Sequence, residues 1–228
     1  MSPRISVIIP VLNEEEHIAD VIAATRRAGE CEIIVCDGGS TDQTIIRAND
    51  ADLVLQTKPG RAAQMNAGAA EATGRVLLFL HADCRLSEGF HQAILSALTD
   101  PKVVGGCFQQ SIDNKRPIYR GIEWGNAQRV HWLGWIYGDQ GLFIKRELFA
   151  KLHGFPPVPL MEDLYLSKQL HRHGRLTVLP GPLMVDARRW EKTGPIRLTL
   201  RNWSFIVLAH LGVSLDQLAS CYGHVRRH

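Results

Sequence analysis

What the sequence lacks narrows it first. No apolar run approaches the roughly 18 residues needed to cross a bilayer, and the N-terminal run before Pro10 is only Val7, Ile8 and Ile9, too short for a secretory signal. Cysteine is scarce: Cys31, Cys36, Cys84, Cys107 and Cys221 form no CxxC pair and no zinc-like spacing. That excludes a disulfide framework and predicts free thiols in a reducing compartment, the cytoplasm. Charge of one sign is lacking too. Lys and Arg total 26 against 23 Asp and Glu, and basic residues cluster only at Arg188–Arg189 and Arg226–Arg227, so there is no footprint for nucleic acid. No GxGxxG follows Ile9, which argues against a nicotinamide dinucleotide site. Tandem repeats and low-complexity segments are absent.

What is present is a chain of 228 residues, 45% hydrophobic and 21% charged, enough for one well-cored domain. Short apolar runs alternate with amphipathic segments. Ile5–Ile9 reads as a strand that Pro10 ends, with Asn13 capping a helix whose first turn carries Glu14, Glu15 and Glu16. Residues 31–36 read as a second strand closing in Asp37-Gly38-Gly39-Ser40-Thr41-Asp42, where Ser40 or Thr41 can cap the next helix. Residues 52–56 form a third strand, 62–73 an alanine-rich helix stopping at Gly74, and 90–98 a further helix. This alternation predicts an α/β fold with a doubly wound sheet. Beyond residue 100 the pattern predicts a strand over 103–112 with Gly105–Gly106 at a bulge or close approach, a helix within 117–135, a helix over 164–173 and a strand over 176–179.

The stretch from Gly74 to Ser87 organises the chemistry. Val76 to Leu80 is an unbroken apolar run of strand length that ends in His81, Asp83 and Arg85 at alternate positions. In a parallel α/β sheet ligands bind outside the carboxyl ends of strands, so a carboxylate beyond Leu80 stands where a phosphate-bound metal can sit.

Five segments in order, SVIIPVLNEEEHI, IIVCDGGSTDQT, GRAAQMNAGAAEATGRVLLFLHAD, GDQGLFIKRELF and MEDLYLSKQL, make the chain from Ile5 to Trp190 resemble a family 2 glycosyltransferase of the GT-A fold. The compact length and the HAD tip resemble a small bacterial branch associated with radical-SAM and selenium-related gene neighbourhoods. The resemblance implies a mixed, mainly parallel sheet, a nucleotide-diphosphate-sugar donor, a divalent metal (Mg²⁺ or Mn²⁺) and inversion at the anomeric carbon. It divides the chain into a transferase domain, 1–190, and a C-terminal helical extension, 191–228. By the same resemblance Pro10, Val11, Asn13 and Glu14 match the first donor-binding loop. Asp37, with Gly38, matches the acid that accepts from a pyrimidine imide N–H, which favours a UDP-sugar and leaves a GDP-sugar open. Arg61, with Gln64 one turn on, matches the basic turn facing the phosphates. His81-Ala82-Asp83 occupies the D-x-D position with His for the first acid; Asp83 remains as metal ligand, and His81 can touch ribose or phosphate or favour Mn²⁺. Glu162–Asp163 matches the acceptor-side acid pair, with Asp163 as general base and Glu162 in reserve.

Three further expectations come from the residues. Asp139 and Gln140, set between glycines, suit an acceptor pocket. Arg188, Arg189 and Trp190 can close over the diphosphate as a flap or form a surface patch. Leu198, Trp203, Ile206, Val207 and Leu211 are expected on the inner face of a C-terminal helix. Arg197 and Arg201 beside that apolar face leave open peripheral contact with the inner face of the membrane, or a homodimer. The acceptor is not identified. A sugar-phosphate nucleotidylyltransferase fits poorly, because PVLNEEEH stands where its glycine-rich loop would be. A catalytically weak nucleotide-sugar-binding or scaffold protein on the same fold is the alternative that His81 raises.

Overall fold

The computed structural model describes residues 5–223 and, within them, every side chain except those of Pro182, Arg189, His210 and Tyr222; Arg226–Arg227 lie outside the described residues. The first half alternates strictly: β1 (Ile5–Val11), α1 (Ile18–Ala28), β2 (Glu32–Asp37), α2 (Thr44–Arg47), β3 (Leu53–Gln56), α3 (Arg61–Glu71), β4 (Val76–Phe79). Then follow β5 (Cys84–Arg85), α4 (Phe90–Ala97), β6 (Val103–Ile112), α5 (Pro117–Leu133), a single 3₁₀ turn at Gly138–Gln140, β7 (Leu142–Lys145), α6 (Arg146–Lys151), α7 (Glu162–His171) and β8 (Arg175–Val185). Three helices close the chain: α8 (Arg188–Thr193), α9 (Pro195–His210) and α10 (Leu215–Gly223).

The strands form one mixed sheet in the order β3-β2-β1-β4-β7-β6-β8-β5. β1 to β4 are mutually parallel where they pair, and β7 runs against both β4 and β6. Strand alternation divides the core between two faces. Ile5, Val7 and Ile9 pack with Ile18, Val21 and Ile22 of α1, while Ile8 joins Met65 of α3 and Phe79 on the other side. Val76 to Leu80 is buried throughout, as an apolar run between two helical layers requires. Each such fully buried aliphatic side chain contributes about 1.5–3 kcal/mol. Gly105 and Gly106 bear out the expected close approach: a Cβ on Gly105 would lie 2.6 Å from the Phe143 carbonyl oxygen, and one on Gly106 would strike that of Thr177.

Several local expectations are corrected. β1 does not stop at Pro10 but runs to Val11, with Pro10 opposite Cys36. The Ile8 carbonyl faces β4 and accepts from Leu80, whereas the Val11 carbonyl faces β2 and accepts from Gly38. Alternation therefore turns the Pro10 nitrogen toward the side where β4 has already ended, and no ladder bond is lost. Asn13 does not cap α1, which begins five residues later, at Ile18, with no side-chain cap; its backbone is left-handed (φ 53°), and its side chain ties to the Ser40–Thr41 loop. α2 is held by Asp42, whose Oδ1 accepts from the Thr44 amide at 3.0 Å, and not by Ser40 or Thr41. β8 passes through Pro180-Gly181-Pro182 and stays paired to Val185. Phe108 pairs with Leu179 and Gln110 with Leu183, so the prolines sit in a bulge where their missing N–H groups are harmless. In α9, Leu198 and Ile206 are buried as expected, but Trp203 and Val207 face outward with Ile196 and Leu200, and Leu211, just past the helix end, is exposed. Among the described residues no helix is long and apolar enough to cross a membrane.

Candidate functional site

The parallel strands deliver their polar groups to one edge. At the tip of β2, Asp37 is buried; its Oδ2 accepts from the amides of Gly39 (2.9 Å) and Ser40 (3.0 Å), while its Oδ1 is buried with no hydrogen-bond partner among the described residues. A buried acceptor left in that state costs about 1–3 kcal/mol unless a ligand donates to it. The β1 tip is laced to the same loop. The Asn13 amide donates to Ser40 Oγ (2.8 Å), Asn13 Oδ1 accepts from the Thr41 amide (2.9 Å), and the Glu14 amide donates to Thr44 Oγ1 (2.8 Å). Gln64 does not face outward with Arg61. It is buried, and its Nε2 donates to the carbonyls of Val11 and Cys36, both at 2.8 Å, fastening the ends of β1 and β2 from behind. Gly38 leaves room for that amide, which an added Cβ would meet at 3.0 Å.

Arg61 opens α3 and links the strand edge to α7. Its Nε lies 2.9 Å from Glu162 Oε1, in contact but not aligned as a hydrogen bond, and its Nη2 lies 3.6 Å from Asp163 Oδ2. Burial opposes the Arg61 charge; Glu162, then Asp163, Asp139 and Asp83, outweigh it and raise its pKa above the ordinary value. Nη2 also lies 2.8 Å from His81 Nε2. A guanidinium has only donors, so His81 Nε2 accepts and the ring carries its proton on Nδ1. His81 thus turns its accepting nitrogen to Arg61, and a metal could use that nitrogen only if Arg61 moved.

The two acids of the α7 start part company. Glu162 is buried against Arg61. Asp163 stands on the wall of a cavity of about 110 Å³, shared with Arg61, His81, Tyr137 and Asp139, and its Oδ2 accepts from the Gly138 amide. A Cβ on Gly138 would strike both Arg61 Nη2 and His81 Nε2, so glycine is what lets the three approach.

The 138–140 turn is anchored by groups that carried no signal in the sequence. Arg129 of α5 is buried. It donates to Gln140 Oε1 (2.6 Å), Asn126 Oδ1 (2.7 Å) and the Trp135 carbonyl (3.1 Å), and stacks 3.4 Å over the Tyr137 ring. Burial pulls its pKa down, against Tyr137 and Asp139. Gln110 Nε2 donates to the Asp139 carbonyl at 3.1 Å. Of the two residues expected in an acceptor pocket, Asp139 lines the cavity, and Gln140 is fully buried in the Arg129 network. Asp83, exposed just past β4, lies beside Cys84, whose Sγ donates to its Oδ1 at 3.4 Å; burial, then Asp83 and Asp139, push that thiol well up. Among the described residues no group of three or more His, Cys, Asp or Glu could hold a metal ion by itself. A lone exposed carboxylate fits a hard cation whose remaining oxygens come from a substrate diphosphate and water. Arg188 is turned to Asp186 Oδ2 (2.7 Å) and His17 Nε2 (2.8 Å), joining α8 to the entry of α1; the Arg189 side chain lies outside those described.

An open mixed sheet whose parallel tips carry Asp37 and Asp83, faced by an acid pair at a helix start, defines the GT-A class of glycosyltransferase folds. Solved structures agree. A mannosyltransferase from Pyrobaculum calidifontis in complex with GDP-Man and Mn²⁺ superposes with a TM-score of 0.64 at 22% identity, over 79% of this chain and 57% of that one. Glucosyl-3-phosphoglycerate synthase from Mycobacterium tuberculosis, with Mn²⁺, UDP-glucose and phosphoglyceric acid, does so at 0.62 and 20% identity, over 92% and 80%. The family described as Glycosyl transferase family 2 matches residues 6–158, and the chain belongs to it. A PGL/p-HBAD biosynthesis glycosyltransferase of Mycobacterium bovis is 37% identical over 163 residues, 66% of this chain. The chain spans about 62% of the length of that relative.

Proposed function

We propose that the protein transfers a glycosyl group from a nucleotide-diphosphate-sugar to an acceptor hydroxyl with inversion, Asp163 acting as general base. The observation that carries this reading is the convergence of Arg61, His81, Asp139 and Asp163 on one cavity at the carboxyl edge of the parallel strands. In the reaction the acceptor oxygen attacks the anomeric carbon, its proton passes to an Asp163 carboxylate oxygen, and the carbon–oxygen bond to the diphosphate breaks with its electron pair leaving on phosphate. Gly138 and Arg61 orient that carboxylate; Glu162 serves as the counter-ion that holds Arg61. Arg61 offers its charge between the base and the β4 tip, where the leaving group builds negative charge. Asp83 would hold Mg²⁺ or Mn²⁺, whose contribution when bound is to neutralise the diphosphate.

The unpartnered Asp37 Oδ1 supports a donor whose base presents an N–H, as a uracil or guanine imide does. Pro10, Val11, Asn13, Glu14 and Gly38 form the frame of that subsite, with Gln64 behind it. The ligands named for the structural neighbours, UDP-glucose and GDP-Man, agree with either donor. We also propose that residues 1–190 form the transferase unit and 191–228 a helical extension, which Leu198, buried in the main core, fastens down. The outward row Ile196, Leu200, Trp203 and Val207 supports a further contact of α9 with a membrane inner face or a second copy, in a cytoplasmic protein.

The test is nucleoside-diphosphate release from UDP-glucose, UDP-GlcNAc and GDP-mannose with Mn²⁺ or Mg²⁺. One donor should be turned over, and Asp163→Asn should lower the rate about 10²–10⁴-fold while nucleotide affinity stays within twofold. Binding without turnover by the wild type across donors and acceptors would favour the scaffold alternative, and full activity in Asp163→Asn would remove the base assignment.

A further inference from the structure

The cavity that carries Asp163 is closed on its far side by the C-terminal segment. α9 contributes Asn202, Phe205 and Ile206 to its wall, facing the α7 start across the space in front of Asp163. Beside the charged and polar groups Arg61, His81, Asp139 and Asp163, the lining has an apolar part made of Leu160, Met161 and Leu164 at the α7 start and Phe205 and Ile206 of α9. Two further polar side chains, Tyr137 and Asn202, line the same cavity. The Tyr137 hydroxyl is buried without a hydrogen-bond partner among the described residues, and Asn202 is only partly buried. Buried polar groups are satisfied as a rule, so a hydroxyl left in this state beside a cavity marks a place where a ligand supplies the partner. The volume, about 110 Å³, limits what can enter. An enclosed cavity of roughly 150 Å³ holds a benzene ring; this smaller space is open at its mouth, so it can seat one ring-sized group while the rest of the molecule projects outward.

We propose that this cavity is the acceptor site and that α9 sets its specificity. The acceptor is a small alcohol carrying one ring-sized apolar group and a second polar group. Its reacting hydroxyl lies at Asp163, its apolar part against Phe205 and Ile206, and its second polar group between the Tyr137 hydroxyl and the Asn202 amide. This rests on the glycosyl-transfer reading and deepens it. Phe205 and Asn202 are specificity-determining residues and touch no reacting atom.

The test is calorimetric titration of the full chain, with Mn²⁺ and UDP or GDP titrated separately, using benzyl alcohol and phenyl β-glucoside against glycerol and glucose. The phenyl probes should bind at least tenfold more tightly than glycerol and glucose. Phe205→Ala should remove that preference, with Phe205→Leu as the conservative variant if the alanine chain fails to fold. Asn202→Leu should weaken phenyl β-glucoside about fivefold or more and leave benzyl alcohol, which has no second polar group, unchanged. Nucleotide affinity should stay within twofold in every variant. Phenyl probes binding no better than glycerol and glucose, or a preference that survives both Phe205 variants, would overturn the inference. Nucleotide binding with no phenyl preference sinks the inference alone; phenyl preference without any nucleotide binding sinks the donor reading and leaves the selectivity of the cavity standing.

Discussion

Replacing Arg61 by Met removes the guanidinium and keeps most of the apolar stem. Glu162, whose side chain is 4% exposed, then loses the cation 2.9 Å away. Breaking a buried pair by removing one partner costs about 3–5 kcal/mol, because the other charge stays in a poorly solvated site. The Arg61 side chain is 25% exposed, so water can reach part of the vacated space, and about 2–3 kcal/mol is the expected loss. Glu162→Gln should cost less, about 1 kcal/mol, since Arg61 keeps Asp163 at 3.6 Å. In the double variant Glu162 is no longer left as an unpaired buried charge, and the loss should fall below that of Arg61→Met alone, giving a coupling of about 2 kcal/mol. Urea unfolding followed by fluorescence, with the buried Trp190 among the reporters, reads all four corners of the cycle. Arg61→Met costing no more than Glu162→Gln, or single losses that simply add in the double variant, would refute the reasoning.

Gly138→Ala should leave the unfolding midpoint near that of the wild type and lower turnover at least tenfold, because the added methyl displaces the ends of Arg61 and His81 and no backbone; an unchanged rate constant would show that their approach does not matter. The thiols predict a pH dependence. Burial pushes Cys36 and Cys107 up to about 12 from an ordinary 9.0, so above pH 9 the unfolded chain releases protons the native one keeps, and stability falls as pH rises toward 12. The fall is at most about 1.4 kcal/mol per pH unit for each thiol. Cys36→Ala and Cys107→Ala should flatten it, and a slope between pH 9 and 11 unchanged by both would contradict the burial argument. At pH 8 in the native state, exposed Cys221 should react with a thiol reagent quickly, and Cys36 and Cys107 only on unfolding.

The sequence made the first half of the fold legible because each strand there is a run of Val, Ile and Leu bounded by turn residues, and each helix has one apolar face. The acids at strand ends, Asp37 and Asp83, and the pair at 162–163 follow from that reading together with the resemblance. Other features depend on partners distant in sequence. Pro10 is tolerated only because β4 stops short of it, which no local pattern shows. Gln64 is turned inward by the carbonyls of Val11 and Cys36, and Arg129 finds its purpose 11 residues away at Gln140. In α9 apolar residues stand on every side, so periodicity could not choose between Leu198, which packs inward, and Trp203, which does not. The α9 wall of the Asp163 cavity was hidden for the same reason: Asn202 and Phe205 line it together with Leu160 and Met161 of the loop before α7.

The central claim is a nucleotide-sugar site at the carboxyl edge of β1, β2 and β4. Thermal-shift titration with UDP, GDP, CDP and TDP, each with Mn²⁺, Mg²⁺ or chelator, tests it in the wild type and in Asp83→Ala. A ligand that binds only the native state raises the melting temperature by mass action. The account predicts a shift with UDP or GDP that needs the metal and disappears in Asp83→Ala. A folded wild-type protein that shifts with none of the four, or a metal-dependent shift that Asp83→Ala retains in full, would contradict it.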